Sequence, residues 1–94
     1  MDQRTEQLLE EANRAGVSFL LTDLDTVLIF LKIAGDTGND ETRSRNRKQA
    51  RDGYSAILRH LARLKPTPDE RLILDEKLAS VRSRLRAAGN PINP

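Results

Sequence analysis

Leucine and other apolar residues recur at intervals of three and four along most of the chain, which is the spacing of one face of an α-helix. Breaks in this spacing divide the chain into four predicted helices, over roughly residues 3–15, 19–34, 41–64 and 68–88. Short connections between long helices favour antiparallel neighbours. The pattern therefore predicts an all-α fold, formed by residues 1–94 as a single domain. The expected architecture is an antiparallel three-helix bundle with a short additional N-terminal helix.

Local signals set the boundaries of these helices. Gly16 stands where a helix usually stops, and Ser18 is a suitable N-cap for the helix that follows. Residues 67–70 (TPDE) combine an N-cap, a proline at the first helical position and a glutamate at the third, which is a capping box. Residues 89–91 (GNP) are expected to end the last helix.

The helix predicted over residues 19–34 is apolar on two sides. Its main stripe is expected to face the core and comprises Val17, Leu20, Leu21, Leu24, Leu28 and Leu31. A second row has spacings of four and three and comprises Phe19, Asp23, Thr26, Phe30 and Ile33. A helix with two apolar sides is usually contacted on both. The second row is therefore a candidate partner interface, covered either by the N-terminal helix or by another molecule. A homodimer would bury it.

The net charge of +2 conceals an uneven distribution. Residues 1–42 carry three basic and nine acidic residues, whereas residues 43–94 carry thirteen basic and five acidic ones. The acidic half could fold against the basic half or pair with it between subunits. It could also leave a basic surface free for an acidic partner.

Positive charge is most concentrated early in the third predicted helix. The cluster comprises Arg43, Arg45, Arg47, Lys48 and Arg51. The apolar stripe of that helix comprises Ala50, Tyr54, Ile57, Leu58, Leu61 and Leu64, and the stripe of the last helix comprises Leu74, Leu78, Val81, Leu85 and Ala88. Arg43 and Arg47 extend the first of these stripes toward the start of its helix. Both are therefore expected to reach acids such as Asp23, Asp25 or Asp36, and structural or intersubunit pairing is the preferred interpretation. Contact with a polyanion or an acidic protein is the alternative, although no aromatic residues interleave with the arginines to stack on bases.

The amino-acid composition excludes several kinds of functional site. The chain has no cysteine, which excludes disulfides, thiolate zinc sites and cysteine nucleophiles. The most apolar stretch, residues 17–34, contains three charged residues, and the polar N-terminus does not resemble a secretory signal. We therefore expect a cytoplasmic protein with no membrane contact, no metal and no cofactor.

One segment resembles a catalytic motif. Residues 19–28 (FLLTDLDTVL) resemble the nucleophile motif of haloacid-dehalogenase-type phosphatases, in which apolar residues lead into two aspartates separated by one residue. That family needs a strand, a Rossmann-like sheet and further motifs, for which a helical chain of 94 residues has no room. Helical spacing accounts for the same leucines. His60 is the only histidine and has no nucleophile and base arrangement around it, so the chain is not expected to be an enzyme.

The sequence thus predicts a small, non-catalytic protein-interaction or assembly module that acts through a protein partner or as a homodimer. The alternative is a nucleic-acid-binding protein that uses the basic face of the third helix. The two interpretations differ in the surface they use, because the first needs the second row of the helix over residues 19–34 and the alternative needs the arginines.

Overall fold

Three helices make up the computed structural model, which describes residues 2–88. Helix α1 is Gln3–Asp36, α2 is Asp40–Leu61 and α3 is Pro68–Ala87. No strand occurs between residues 2 and 88, so the prediction of an all-helical bundle is confirmed for this part of the chain. The predicted helix stop at residues 89–91 lies outside the described residues.

The prediction of a short, separate N-terminal helix is wrong, because residues 3–36 form one continuous helix. Gly16 lies inside this helix. A Cβ atom at this position would lie 2.8 Å from Cδ2 of Leu64, so the glycine allows the segment after α2 to approach α1 closely. Ser18 is likewise an exposed interior residue and not an N-cap. Residues 2–88 therefore form three helices where the pattern predicted four.

Each helix begins at a side-chain cap. Asp2 and Asn39 each accept a backbone N–H from the first turn that follows, at 2.8 Å, so α2 starts one residue earlier than predicted. The predicted capping box is present. The Glu70 N–H donates to the Thr67 hydroxyl, and the Thr67 N–H donates to the Glu70 carboxylate. These bonds satisfy N–H groups that have no partner within the helix.

The core is one column of apolar side chains drawn from all three helices. Its buried members are Val17, Leu20, Leu24, Val27, Leu31, Ala50, Tyr54, Ile57, Leu61, Leu74, Leu78, Val81 and Leu85. Most of them belong to the stripes that the spacing predicts. Leu58 and Leu64 were also expected on the α2 stripe, but Leu58 is exposed and Leu64 lies beyond the end of α2, packed against the core from the connection to α3.

Hydrogen bonds join α1 to α2 and to the segment after α2 near both ends of α1. Near the start of α1, the Asn13 side-chain amide donates to the carbonyl oxygen of Lys65 and accepts the Lys65 N–H, both at 2.7 Å. Near the end of α1, Nε of Arg43 donates to the carbonyl oxygen of Ala34 at 3.2 Å. These two contacts fix α2 and the connection that follows it along the length of α1.

The first turns of α1 project beyond the other two helices. The described chain measures 56 × 21 × 18 Å, and a helix of 34 residues is about 51 Å long, so α1 sets the longest dimension. Residues 3–12 are all exposed, and the first tertiary hydrogen bond of α1 comes from Asn13. The projecting end leaves Leu8 and Leu9 exposed to solvent.

Gly53 marks the closest approach of α2 to the middle of α1, and its replacement by alanine is expected to destabilise the bundle. A Cβ atom at residue 53 would lie 2.9 Å from Cγ2 of Val27, which is buried and has essentially one side-chain rotamer in a helix. Overpacking should outweigh the gain in helix propensity and give a net loss of about 1 kcal/mol in urea unfolding.

Gly35→Ala is the matched control for that substitution. Gly35 is also helical, and nothing lies within 4 Å of a Cβ atom built there, so the added methyl should stabilise the chain by up to about 1 kcal/mol. If Gly53→Ala were as stabilising as Gly35→Ala, the close contact between residue 53 and Val27 would be absent in solution.

Candidate functional site

An uncharged row of exposed side chains runs along the side of α1 that faces away from the bundle. The row has spacings of three, four, three and four, and it comprises Phe19, Thr22, Thr26, Ile29 and Ile33. Phe19 is 59% exposed, Ile29 57% and Ile33 40%. We call these five residues the outer row. In a chain in which 32% of residues are charged, a helix face of this length without a charge is a candidate interface.

The outer row differs from the row that the sequence predicts. Phe19, Thr26 and Ile33 belong to both. Phe30 is half-buried and packs against the core, and Asp23 is also half-buried, so these two side chains of the predicted row are less accessible than the other three. The exposed row replaces them with Thr22 and Ile29. Both rows have helical spacing from Phe19, so spacing alone could not distinguish them. The choice depends on which side of α1 faces the core, and the sequence does not show this for the second apolar side.

No part of residues 2–88 covers the outer row. Helices α2 and α3 both pack on the opposite side of α1, through its buried residues Val17, Leu20, Leu24, Val27, Leu31 and Ala34. The sequence allowed a separate N-terminal helix to cover the second apolar side. Residues 3–15 instead continue α1 along its own axis and cannot fold back onto it.

The two threonines in the middle of the outer row satisfy their hydroxyl groups within the helix. The Thr22 hydroxyl donates to the carbonyl oxygen of Ser18 at 3.2 Å, and the Thr26 hydroxyl donates to that of Thr22 at 3.1 Å. A partner that covers these residues would therefore leave neither hydroxyl without an acceptor. This lowers the cost of removing water from the centre of the row.

The predicted arginine cluster does not form a single surface. Arg43 folds back onto the end of α1, where its guanidinium donates to the carbonyl oxygens of Ala34 and Thr37 and pairs with Asp40 at 2.9 Å. Arg43 thus satisfies backbone carbonyls that the end of α1 leaves free, which is a structural role. It does not pair with the acids of α1 that the sequence suggested.

Two other members of the cluster lie on the outer side of α2. Lys48 pairs with Asp52 one turn later, at 2.9 Å, and this hydrogen bond lowers the pKa of the Asp52 carboxyl. Arg45 is exposed on the same side of the helix. Arg59 and Arg63 continue this side toward the end of the bundle, so it is a basic ridge that carries one acid.

Arg47 lies on the inner side of α2 and is half-buried. Its Nε is buried and has no hydrogen-bond partner among residues 2–88. Together with Arg43 and Arg84 it lines a cavity of about 300 Å³ between the ends of α1, α2 and α3. We call this cavity the arginine cleft. Arg84 comes from α3, and no local sequence pattern predicts that it lies beside Arg47. Arg51 lines a neighbouring cavity of about 290 Å³, which Arg43 and Arg47 also line and which contains Asp40.

One ion pair joins the acidic and basic halves of the described chain across two helices. Nζ of Lys77 on α3 donates to Asp25 on α1 at 2.6 Å. The other ion pairs within residues 2–88 join residues three or four apart on one helix. Within one chain, Arg43 and Arg47 do not form ion pairs with Asp23, Asp25 or Asp36 among residues 2–88, and the expected pairing between subunits stays a prediction.

The other cavity and the other residues considered as candidates have few features that suggest a functional site. A cavity of about 650 Å³ lies beneath the projecting end of α1 and is lined by residues such as Leu9, Asn13 and Leu64. Asp25 lies on a helix and not on the strand that a phosphatase nucleophile motif requires, and His60 is exposed on α2. Residues 2–88 contain no group of three potential metal-ligating side chains, and none of their helices is long and apolar enough to cross a membrane.

The chain was compared with models of known protein families, with curated proteins and with solved structures. No family model matches it, and neither the curated proteins nor the solved structures give a significant match.

Proposed function

We propose that this chain is a non-catalytic protein-interaction or assembly module that self-associates through the outer row of α1. The observation that carries the proposal is an exposed, uncharged helix face that nothing between residues 2 and 88 covers. Burial of apolar surface is the main favourable term in protein association, and a face of this kind is where it is available.

The spacing of the outer row is suited to a helix as its partner. Alternating steps of three and four place residues along the seam by which two helices pack in a coiled coil. Five positions make up two such repeats, which is a short seam. We therefore expect a dimer that dissociates on dilution.

The order of residues in the row is suited to a second copy of the same chain. When two outer rows pair in opposite directions about a twofold axis at Thr26, Phe19 faces Ile33 of the partner copy, and Thr22 lies within one residue of the level of Ile29. Large apolar side chains then meet at both ends of the seam, and threonines meet at the centre. The same face can thus be complementary to itself without any opposed charges.

The basic ridge of α2 supports the alternative function, binding of nucleic acid through phosphate contacts. Arg45 and Arg59 are exposed on one side of that helix, and Arg63 is exposed just beyond its end. Two features make it the weaker proposal. Lys48 is engaged with Asp52, and Arg43 and Arg47 lie on the other side of α2, so the five cations do not act together.

Replacing both Phe19 and Ile33 with aspartate is expected to convert the dimer to a monomer. Both side chains are exposed, so the helical content should not change, and the four aspartates of a dimer would face each other in two pairs across the seam. Sedimentation equilibrium over a wide range of concentrations, together with circular dichroism, measures both properties. Phe30 is not suitable for this test because it packs against the core.

Leu72→Asp is the control. Leu72 is 70% exposed on α3, away from the outer row, and this change should leave self-association unaltered. A wild-type chain that stays monomeric up to its solubility limit would refute the proposal. If the chain instead binds duplex DNA with a strong salt dependence that Arg45→Ala and Arg59→Ala reduce, the nucleic-acid function replaces it.

A further inference from the structure

We propose that the arginine cleft is a binding site for a phosphate group, carried by free inorganic phosphate or by a small phosphomonoester. The site is separate from the outer row and does not depend on self-association. The cleft lies where the last turn of α1, the first turns of α2 and the last turn of α3 meet.

The lining of the cleft has positive charge without acids. Its charged residues are Arg43, Arg47 and Arg84, and its other residues are Leu31, Ala34, Gly35, Ala87 and Ala88. Three guanidinium groups around one cavity repel each other unless an anion lies between them. Among residues 2–88, neither Arg47 nor Arg84 pairs with a carboxylate.

Arg47 gives the second, independent observation. Its Nε–H is buried and finds no acceptor among residues 2–88. A buried donor without an acceptor is unfavourable, and such groups are rare in folded proteins. Arg47 also lines the cleft, so an oxyanion bound there would balance the charge of a guanidinium that no carboxylate within residues 2–88 pairs with.

Arg43 already has hydrogen-bond partners within the chain, so Arg47 and Arg84 are the two arginines available to bind a ligand. The Arg43 guanidinium donates to the Ala34 and Thr37 carbonyl oxygens, so it compensates the negative end of the α1 dipole that would otherwise repel an anion. Arg47 and Arg84 come from different helices and are left to bind the ligand.

The chemistry of the cleft favours phosphate over other anions. Guanidinium groups form paired, charge-assisted hydrogen bonds with the oxygens of phosphate, and a doubly charged oxyanion balances two arginines. A cavity of about 300 Å³ has room for one phosphate group and a small substituent. The neighbouring cavity contains the Asp40 carboxylate, which repels a second phosphate, so we assign one phosphate to the site.

The test is thermal unfolding of the full chain at constant ionic strength, with chloride exchanged for inorganic phosphate or, separately, for glycerol 3-phosphate. A ligand that binds the folded state raises Tm as its concentration increases. Wild type is expected to show this increase. Arg47→Gln should weaken binding about tenfold or more, because a charge-assisted hydrogen-bonding group is lost. Arg84→Gln should act in the same direction.

Arg45→Gln is the matched control, since it removes the same charge from the same helix but on the outer side. It should retain the response of wild type. A larger response to the ester than to inorganic phosphate would show that the phosphate is carried on a larger molecule, and an equal response would identify the free ion as sufficient. The proposal fails if neither compound raises the Tm of wild type, or if Arg45→Gln loses the response as fully as Arg47→Gln.

Discussion

Replacing Leu24 with alanine is expected to lower the free energy of unfolding by about 2–5 kcal/mol. Leu24 is 0% exposed and lies in the middle of α1, the helix that contacts both of the others. The substitution removes apolar surface from the core and leaves a cavity that three packed helices can fill only in part. A domain of this size has an unfolding free energy near the lower end of roughly 5–15 kcal/mol, so a large fraction of its stability would be lost.

Urea unfolding followed by circular dichroism measures this loss. Leu72→Ala is the control, because Leu72 is the same residue type on a helix but is mostly exposed, and its truncation should cost less than about 0.5 kcal/mol. Similar losses for the two substitutions would mean that the core is not centred on Leu24, and that the packing of α2 and α3 on α1 differs in solution.

The core of this fold is largely predictable from hydrophobic spacing. The residues that the pattern assigns to the interior of α2 and α3, such as Tyr54, Ile57, Leu74 and Val81, are buried. Spacing identifies most of the buried side of a helix when the other side is largely charged or polar, although Leu58 of the predicted α2 stripe is exposed. It is less informative for α1, where Val27 was not assigned to the core stripe although it is buried.

The number of helices could not be predicted because Gly16 has two possible roles. Glycine after an apolar repeat usually ends a helix, since it adopts left-handed backbone conformations easily. Here it lies within the helix because Leu64 needs the space that a side chain would fill. The contact joins residues far apart in the chain, so no local feature around Gly16 distinguishes the two roles.

The outer row and the arginine cleft also differ in how far they could be predicted from the sequence. Phe19, Thr26 and Ile33 were identified from spacing within one helix, and they are exposed as expected. The arginine cleft depends on Arg84 of α3 meeting Arg47 of α2, and this juxtaposition arises only from the tertiary structure. Sequence reasoning therefore identifies surfaces that belong to one helix more readily than sites that several helices share.

Replacing Ser18 with proline is expected to lower the free energy of unfolding by about 3 kcal/mol or more, because α1 is continuous through this position. Ser18 lies in the interior of a helix that extends from Gln3 to Asp36. Proline there removes the backbone hydrogen bond to residue 14 and places its ring against the carbonyl of that residue. Because Val17 and Leu20, on either side, are buried, the distortion would also disturb the packing of α1 on the core. Thermal and urea unfolding measure the loss of stability.

Ser18→Ala separates this backbone effect from loss of the side chain. The Ser18 side chain is exposed and alanine is the better helix former, so the alanine variant should be at least as stable as wild type. The two possible organisations of the first 36 residues give opposite results. If the helix were interrupted at Gly16, residue 18 would precede a new helix and would tolerate proline, whose fixed φ suits a helix start. Equal stability of the proline and alanine variants would therefore establish two helices, and the N-terminal one could then turn to cover the outer row. A loss confined to the proline variant would leave that face of α1 open to a partner.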